Sequence, residues 1–133
     1  MIFIDTSFLI AGFDERDPFH REATLLARQL AGRRIVASNH VRGESWTWFR
    51  RKRWHRKAVE FLDSLRAGAS NVRVDFISED IEADALDWLR RHDEREYSFV
   101  DATSFAYMRA KGIREALAFD GDFAAAGFTE LRP

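Results

Sequence analysis

Four acidic side chains, Asp5, Glu44, Asp101 and Asp120, stand where carboxylates from distant stretches of the chain could work together. Asp5 ends the apolar run Met1–Ile4 and Asp120 ends the run Ala116–Phe119, so two strand ends each carry an acid. Glu44 comes three residues after Val41 and four before Trp48, a spacing that predicts the inward face of a helix. Asp101 comes four residues before Phe105 and seven before Met108, which predicts an inward position in the first turn of another helix. Like charges ~4 Å apart repel by about 4 kcal/mol at an effective dielectric of ~20, so such a cluster needs neutralising. A divalent cation would do this, and oxygen-only ligands favour Mg2+ or Mn2+ over zinc. An ion held in this way lowers the pKa of a bound water, aligns it with a phosphodiester and neutralises the leaving oxygen.

Each acid also has a plainer reading. Asp5 could cap the helix that begins at Thr6. Ser98-Phe-Val-Asp101 has the spacing of a capping box, with Asp in place of Glu. Glu44 could face solvent, and Asp120-Gly121-Asp122 could be a simple turn.

The elements that must position these acids alternate. Strands are expected at Met1–Ile4, Ile35–Ala37, Val72–Ile77, Ala116–Phe119 and Phe128–Leu131, all short and the first, second and fourth continuously apolar. Between them lie helical patterns: Thr6–Gly12, then a run capped by Asp17 with Pro18 in its first turn and ending at Gly32. Further helices are expected from about Asn39, bearing Val41, Ser45 and Trp48, and across Ala58–Leu65 before Gly68. The last two open at Ser78 or Asp80 and at Ser98, the latter ending at Gly112. This order predicts an α/β protein with a central, mainly parallel sheet of four to five strands covered on both faces, in one domain over residues 1–133. In such sheets ligands collect at the carboxyl ends of the strands.

Composition agrees with a packed domain: 133 residues, 46% hydrophobic and 14% aromatic. With no cysteine, disulfide scaffolds and thiolate metal sites are excluded, and a reducing cytoplasm is expected. No apolar run reaches the ~18 residues of a membrane span, so a soluble protein is expected. The net charge of -1 hides a segregation of charge: Arg50–Lys57 carries six Lys or Arg and no acid, while Glu79–Glu96 carries eight acids against three arginines.

Taken in order, these residues resemble the PIN-domain family, and within it the VapC-type toxins of toxin–antitoxin pairs. The resemblance is carried by the first strand with Asp5-Thr6-Ser7, by Asp17-Pro18-Phe19-His20 with Ala23, and by Val41-Arg42-Gly43-Glu44. In the second half it is carried by Ser98-Phe99-Val100-Asp101-Ala102 and by Phe119-Asp120-Gly121-Asp122-Phe123 with Gly127. It implies a three-layer α/β/α PIN fold, a Mg2+ or Mn2+ cluster, and endonucleolytic cleavage of RNA to a 3'-hydroxyl and a 5'-phosphate. By position, Asp5, Glu44, Asp101 and Asp120 take the invariant acid roles and Ser7 buttresses Asp5 by hydrogen bonding. Asp5, Asp101, Asp120 and Asp122 are the metal ligands implied; whether Asp120 or Asp122 binds directly is open at this point. Members are typically homodimers silenced by an antitoxin.

The basic run supplies an expected RNA surface: Arg50, Arg51, Lys52, Arg53, Arg56 and Lys57 could hold phosphates beside the acids, with Trp46, Trp48 and Trp54 available to stack on bases. A solvated helix face and core tryptophans are the plainer alternatives. The histidines, His20, His40, His55 and His92, show no metal-ligand spacing. A receiver domain would need a second acid after the first strand and a lysine after the last, and a haloacid-dehalogenase-type phosphatase an acid at position 7; neither pattern is present. A PIN-like domain that binds RNA without cutting it is the remaining alternative.

Overall fold

The computed structural model describes residues 1–133. Five strands form one parallel sheet: β1 (Ile2–Ile4), β2 (Ile35–Ser38), β3 (Val72–Asp75), β4 (Glu115–Leu117) and β5 (Thr129–Glu130), in the order β3-β2-β1-β4-β5. Seven helices connect them: α1 (Thr6–Phe13), α2 (His20–Gln29), α3 (Asn39–Arg51), α4 (His55–Ser64), α5 (Glu79–Arg91), α6 (Phe99–Lys111) and α7 (Asp122–Ala125). Chain order moves outward from β1 through β2 to β3, then returns across the sheet to β4 and β5. Because parallel crossovers are right-handed, this reversal puts α1–α4 on one face and α5–α7 on the other. The result is the three-layer α/β/α architecture expected from the alternation of elements.

Each face has its own aromatic packing. Phe13, Phe49 and Phe61 meet edge-on or tilted beneath α1, α3 and α4, with centroids 5.6–6.0 Å apart. On the opposite face Phe3 of β1 packs on Tyr107 and Phe123, and Phe105 on Phe123 and Trp88. The pleat of β1 therefore sends Phe3 to the α6–α7 layer, while all three strand residues are buried. β1 is central because it is apolar on both faces.

Several boundaries differ from the pattern read along the chain. α2 begins at His20, not at Pro18, because the Asp17 carboxylate accepts from Phe19 N at 2.8 Å and holds a turn there. The residues Asp122–Ala125 form a single helical turn where only a chain reversal was expected. The buried stripe of α3 runs Val41, Ser45, Phe49, not Val41, Ser45, Trp48, so Glu44 and Trp48 lie half-buried at its edge. β3 stops at Asp75, since Phe76 turns out to solvent.

The switch in winding direction falls between β1 and β4. Neighbouring strands whose connections leave in opposite directions open a crevice at their carboxyl ends. Asp5 follows β1 and Asp120 follows β4, so both acids stand at this crevice.

Candidate metal centre

Asp5 occupies the crevice as the N-cap of α1: its carboxylate accepts from Ser7 N at 3.1 Å and from Ser7 Oγ at 2.6 Å. Ser7 Oγ in turn accepts from Phe119 N at 3.0 Å. One hydroxyl thus fastens the end of β1 to the segment leading from β4 to Asp120. The capping role and the site position coexist at Asp5, which is only 2% exposed.

Asp101 enters from α6, whose N-terminus carries a full capping box. Ser98 Oγ accepts from Asp101 N at 3.0 Å, and the Asp101 carboxylate accepts from Ser98 N at 2.9 Å. Held in this way, Asp101 is buried at the same edge. Asp120 accepts from Asp122 N at 3.0 Å, a turn bond that aims its carboxylate back toward the other two. Each of Asp5, Asp101 and Asp120 offers an oxygen within 4.8 Å of the others.

At that spacing each charged pair would cost about 3–4 kcal/mol at an effective dielectric of ~20. Burial first, then the charge of Asp120, pushes the Asp5 carboxyl up to about 8, against the opposing pull of the Ser7 bonds. Burial, reinforced by Asp101 and opposed by the Asp122 N–H, pushes Asp120 up to about 6. Asp101 is also raised, by burial first and then by its acidic neighbours Asp122 and Glu44. Three mutually repelling carboxylates, two of them buried and the third, Asp120, open to solvent, fit a hard divalent cation, which would relieve the repulsion and take oxygen donors alone.

Glu44 and Asp122 stand outside this trio. Glu44 projects from α3 across the cleft, close enough to Asp101 to raise its pKa. Asp122 is ion-paired: its Oδ1 accepts from Arg95 Nε at 2.9 Å and lies 2.8 Å from the second guanidinium nitrogen. Arg95 escaped the sequence reading, because it sits among Asp93, Glu94 and Glu96 in what resembles a solvated acidic loop. It brings a positive charge to the rim of an otherwise acidic centre.

The basic run divides into two. Arg51 lines the cleft that holds Glu44, whereas Arg53, Arg56 and Lys57 line a separate cleft on the far side of the α3–α4 turn, with Arg16 stacked 4.8 Å over Trp54. Arg50 and Lys52 are exposed, and Lys52 lies over Trp48 at 5.4 Å. The division arises at Arg53, whose φ of 60° reverses the chain between the two helices.

Removing the Ser7 hydroxyl tests how far the centre depends on this packing. The Ser7→Ala variant leaves the buried Phe119 N–H without a partner, which costs about 1–3 kcal/mol of stability. It also frees the Asp5 carboxylate to turn. A loss of about 10–100-fold in turnover is expected, as for other groups that orient metal ligands, and is read by comparing kcat with the melting temperature.

A five-stranded parallel sheet in the order found here, with three acids at its switch point, defines a class of metal-dependent nuclease domain. The PIN domain family matches residues 2–129, and the chain belongs to that family, on its VapC-type endonuclease toxin branch. Among known proteins it is 52% identical over 133 residues to the 23S rRNA-specific endonuclease VapC20 of Mycobacterium tuberculosis, in two strains, spanning 100% of this chain and 99% of the relative. The crystal structure of M. tuberculosis VapC20, described as a sarcin–ricin-loop-cleaving toxin, superimposes with a TM-score of 0.92 at 50% identity and full coverage of both chains. No helix of this chain is long and apolar enough to cross a membrane.

Proposed function

We propose that this endoribonuclease toxin cuts the sarcin–ricin loop of 23S rRNA at a divalent ion, Mg2+ or Mn2+, held by Asp5, Asp101 and Asp120. The observation that carries this reading is the approach of three carboxylate oxygens, those of buried Asp5 and Asp101 and of exposed Asp120, to within 4.8 Å of one another at the β1–β4 crevice. The target follows from the name of the 52%-identical relative, which matches this chain from end to end.

In this reading Ser7 holds Asp5 in place and Ser98 holds Asp101. An ion bound there supplies a water of lowered pKa and neutralises charge on the phosphodiester. Glu44, across the cleft, accepts the proton of the attacking water. The water oxygen bonds to phosphorus as the P–O3' bond breaks, and the departing O3' takes a proton from solvent, leaving a 3'-hydroxyl and a 5'-phosphate. Asp122, tied to Arg95, joins the centre only if that pair opens to admit a second ion. Arg51 contacts phosphate next to the cut. Arg50, Lys52, Arg53, Arg56 and Lys57 extend the track of positive charge along the flanking strand.

The partners in this reading are the RNA, a cognate antitoxin that covers the cleft, and a second copy of the chain. Apolar side chains left exposed on α2 and α4, Leu25, Val59 and Leu62, supply surface for these protein contacts. The single domain over residues 1–133 acts in the cytoplasm, where its target is.

The test is cleavage of a 23S sarcin–ricin hairpin with Mg2+, Mn2+ or EDTA. A single cut in the loop is expected with either ion and none with EDTA; an intact hairpin under all three conditions refutes the reading. In a binding titration with the same hairpin, Arg51→Ala should weaken RNA binding severalfold and flatten its salt dependence by about one unit of log–log slope. Unchanged slope and affinity would remove Arg51 from the RNA surface.

A further inference from the structure

Five carboxylates gather at the crevice, those of Asp5, Asp101 and Asp120 with Glu44 and Asp122 beside them, and one divalent ion leaves this set negative. An RNA phosphate brings more negative charge to the same place, so a positive group from the chain would ease its approach. Two arginines stand near the end of β4, and only one is free for this. Arg132 donates from one nitrogen to the carbonyls of Ala118 and Leu131 and from the other to Glu130, all at 2.8 Å. Arg95 donates from Nε to Asp122 at 2.9 Å and holds Nη2 2.8 Å from the same oxygen. Its Nη1 has no acceptor in the chain, and the side chain is 43% exposed.

The Arg95 guanidinium lies over the turn that carries two of the acids. Nη2 is 3.7 Å from the position a Cβ on Gly121 would take, between Asp120 and Asp122. The hydrogen bond to Asp122 raises its pKa and the charge of Asp120 adds to the rise, so Arg95 stands within electrostatic reach of a metal ligand. The segment that carries it is anchored. Tyr97 N donates to the Arg95 carbonyl at 2.9 Å, and the Tyr97 ring packs edge-on against Trp88 and Phe105 at 4.8 and 5.7 Å. Three residues after Arg95, Ser98 caps α6 and holds Asp101. One short segment thus sets both a metal ligand and a guanidinium. An ion pair this open to solvent contributes little to folding, so stability alone does not account for a cation placed here.

We propose that Arg95 is an RNA-binding residue of the centre: held by Asp122, it donates from Nη1 to a non-bridging oxygen of the phosphate that is cut. A guanidinium suits this because some of its N–H groups can stay on one carboxylate while the others form charge-assisted bonds to a phosphate. Asp122 is then the group that aims Arg95. Contact at this phosphate sets positive charge where negative charge is redistributed as the P–O3' bond breaks. The inference rests on the proposed RNA hydrolysis at the neighbouring centre.

The test uses sarcin–ricin hairpins, each with one neutral methylphosphonate linkage at the cut or at a flanking position, with the wild type compared with Arg95→Ala. On the unmodified hairpin Arg95→Ala should lose about 100-fold in kcat/KM while melting close to the parent. Affinity is read in Ca2+, without turnover. The loss of affinity caused by the methylphosphonate at the cut should be about tenfold smaller in Arg95→Ala than in the wild type, with no such difference at the flanking linkages. That pattern supports the contact even if no strand is cut with any ion. Losses of equal size in both proteins at every linkage overturn it even if the wild type cuts normally, and with a lowered melting temperature they make the pair a structural tie. A difference found only at a flanking linkage moves Arg95 to the neighbouring strand and also overturns the proposal.

Discussion

The Asp101→Asn variant should fold as well as the parent and cut RNA at least about 10³-fold more slowly. Asparagine keeps the oxygen that accepts from Ser98 N, so the capping box and the start of α6 survive. What is lost is one of three negative charges within 4.8 Å. Losing that ligand charge from a cation-assisted transition state costs about 4 kcal/mol or more, hence three orders of magnitude in rate. The same substitution relieves repulsion in the ion-free protein, so its melting temperature should equal or exceed that of the parent. Circular dichroism melts beside a cleavage time course read both effects. Cleavage at the parental rate by a well-folded Asp101→Asn protein would remove Asp101 from the centre.

The second large effect is on stability against pH. The ion-free folded state holds Asp5 with a pKa of about 8 and Asp120 with one of about 6, against an ordinary carboxylate value of 3.8 in the unfolded chain. The folded state therefore binds more protons than the unfolded state between these values. The stability these groups retain is fully present below about pH 4 and is lost as pH rises through about 6 for Asp120 and about 8 for Asp5. With EDTA present, the melting temperature should fall between pH 5 and pH 8, by an amount corresponding to a few kcal/mol that comes mainly from buried Asp5, because solvent screens the exposed Asp120. Asp5→Asn keeps a cap acceptor for Ser7 N but no charge, so it should lose most of this slope. At pH 8, Mn2+ at about 100 times its Kd adds ~2.7 kcal/mol, or roughly 8–10 °C for a chain of this size. A melting temperature that rises with pH in EDTA would show that these acids ionise without penalty.

Much of this centre was legible along the chain because strand ends and helix starts leave local marks. Asp5 and Asp120 were visible as the residues that end apolar runs, and parallel winding carries both to one edge. Asp101 was visible through Ser98, since a capping box needs only its own four residues. Helical phase was less certain for Glu44. Stripes through 44 and 48 or through 45 and 49 both satisfy 3.6-residue periodicity, and only packing of Phe49 against Phe13 and Phe61 selects the second. The basic run read as one surface, but the left-handed turn at Arg53 parts Arg51 from Arg56 and Lys57. Arg95 left no local mark at all, as its partner Asp122 lies 27 residues away.

The joint hold of Asp5, Asp101 and Asp120 on one divalent ion is tested most directly by calorimetric titration of the ion-free protein with Mn2+ at pH 7, in two buffers of different ionisation heat. Because the Asp5 carboxyl is mostly protonated at that pH, binding should be saturable, with a stoichiometry near one, and should release about one proton into the buffer. Asp5→Asn should abolish both. No saturable heat in the wild type, or binding that Asp5→Asn leaves unchanged, would contradict the assignment.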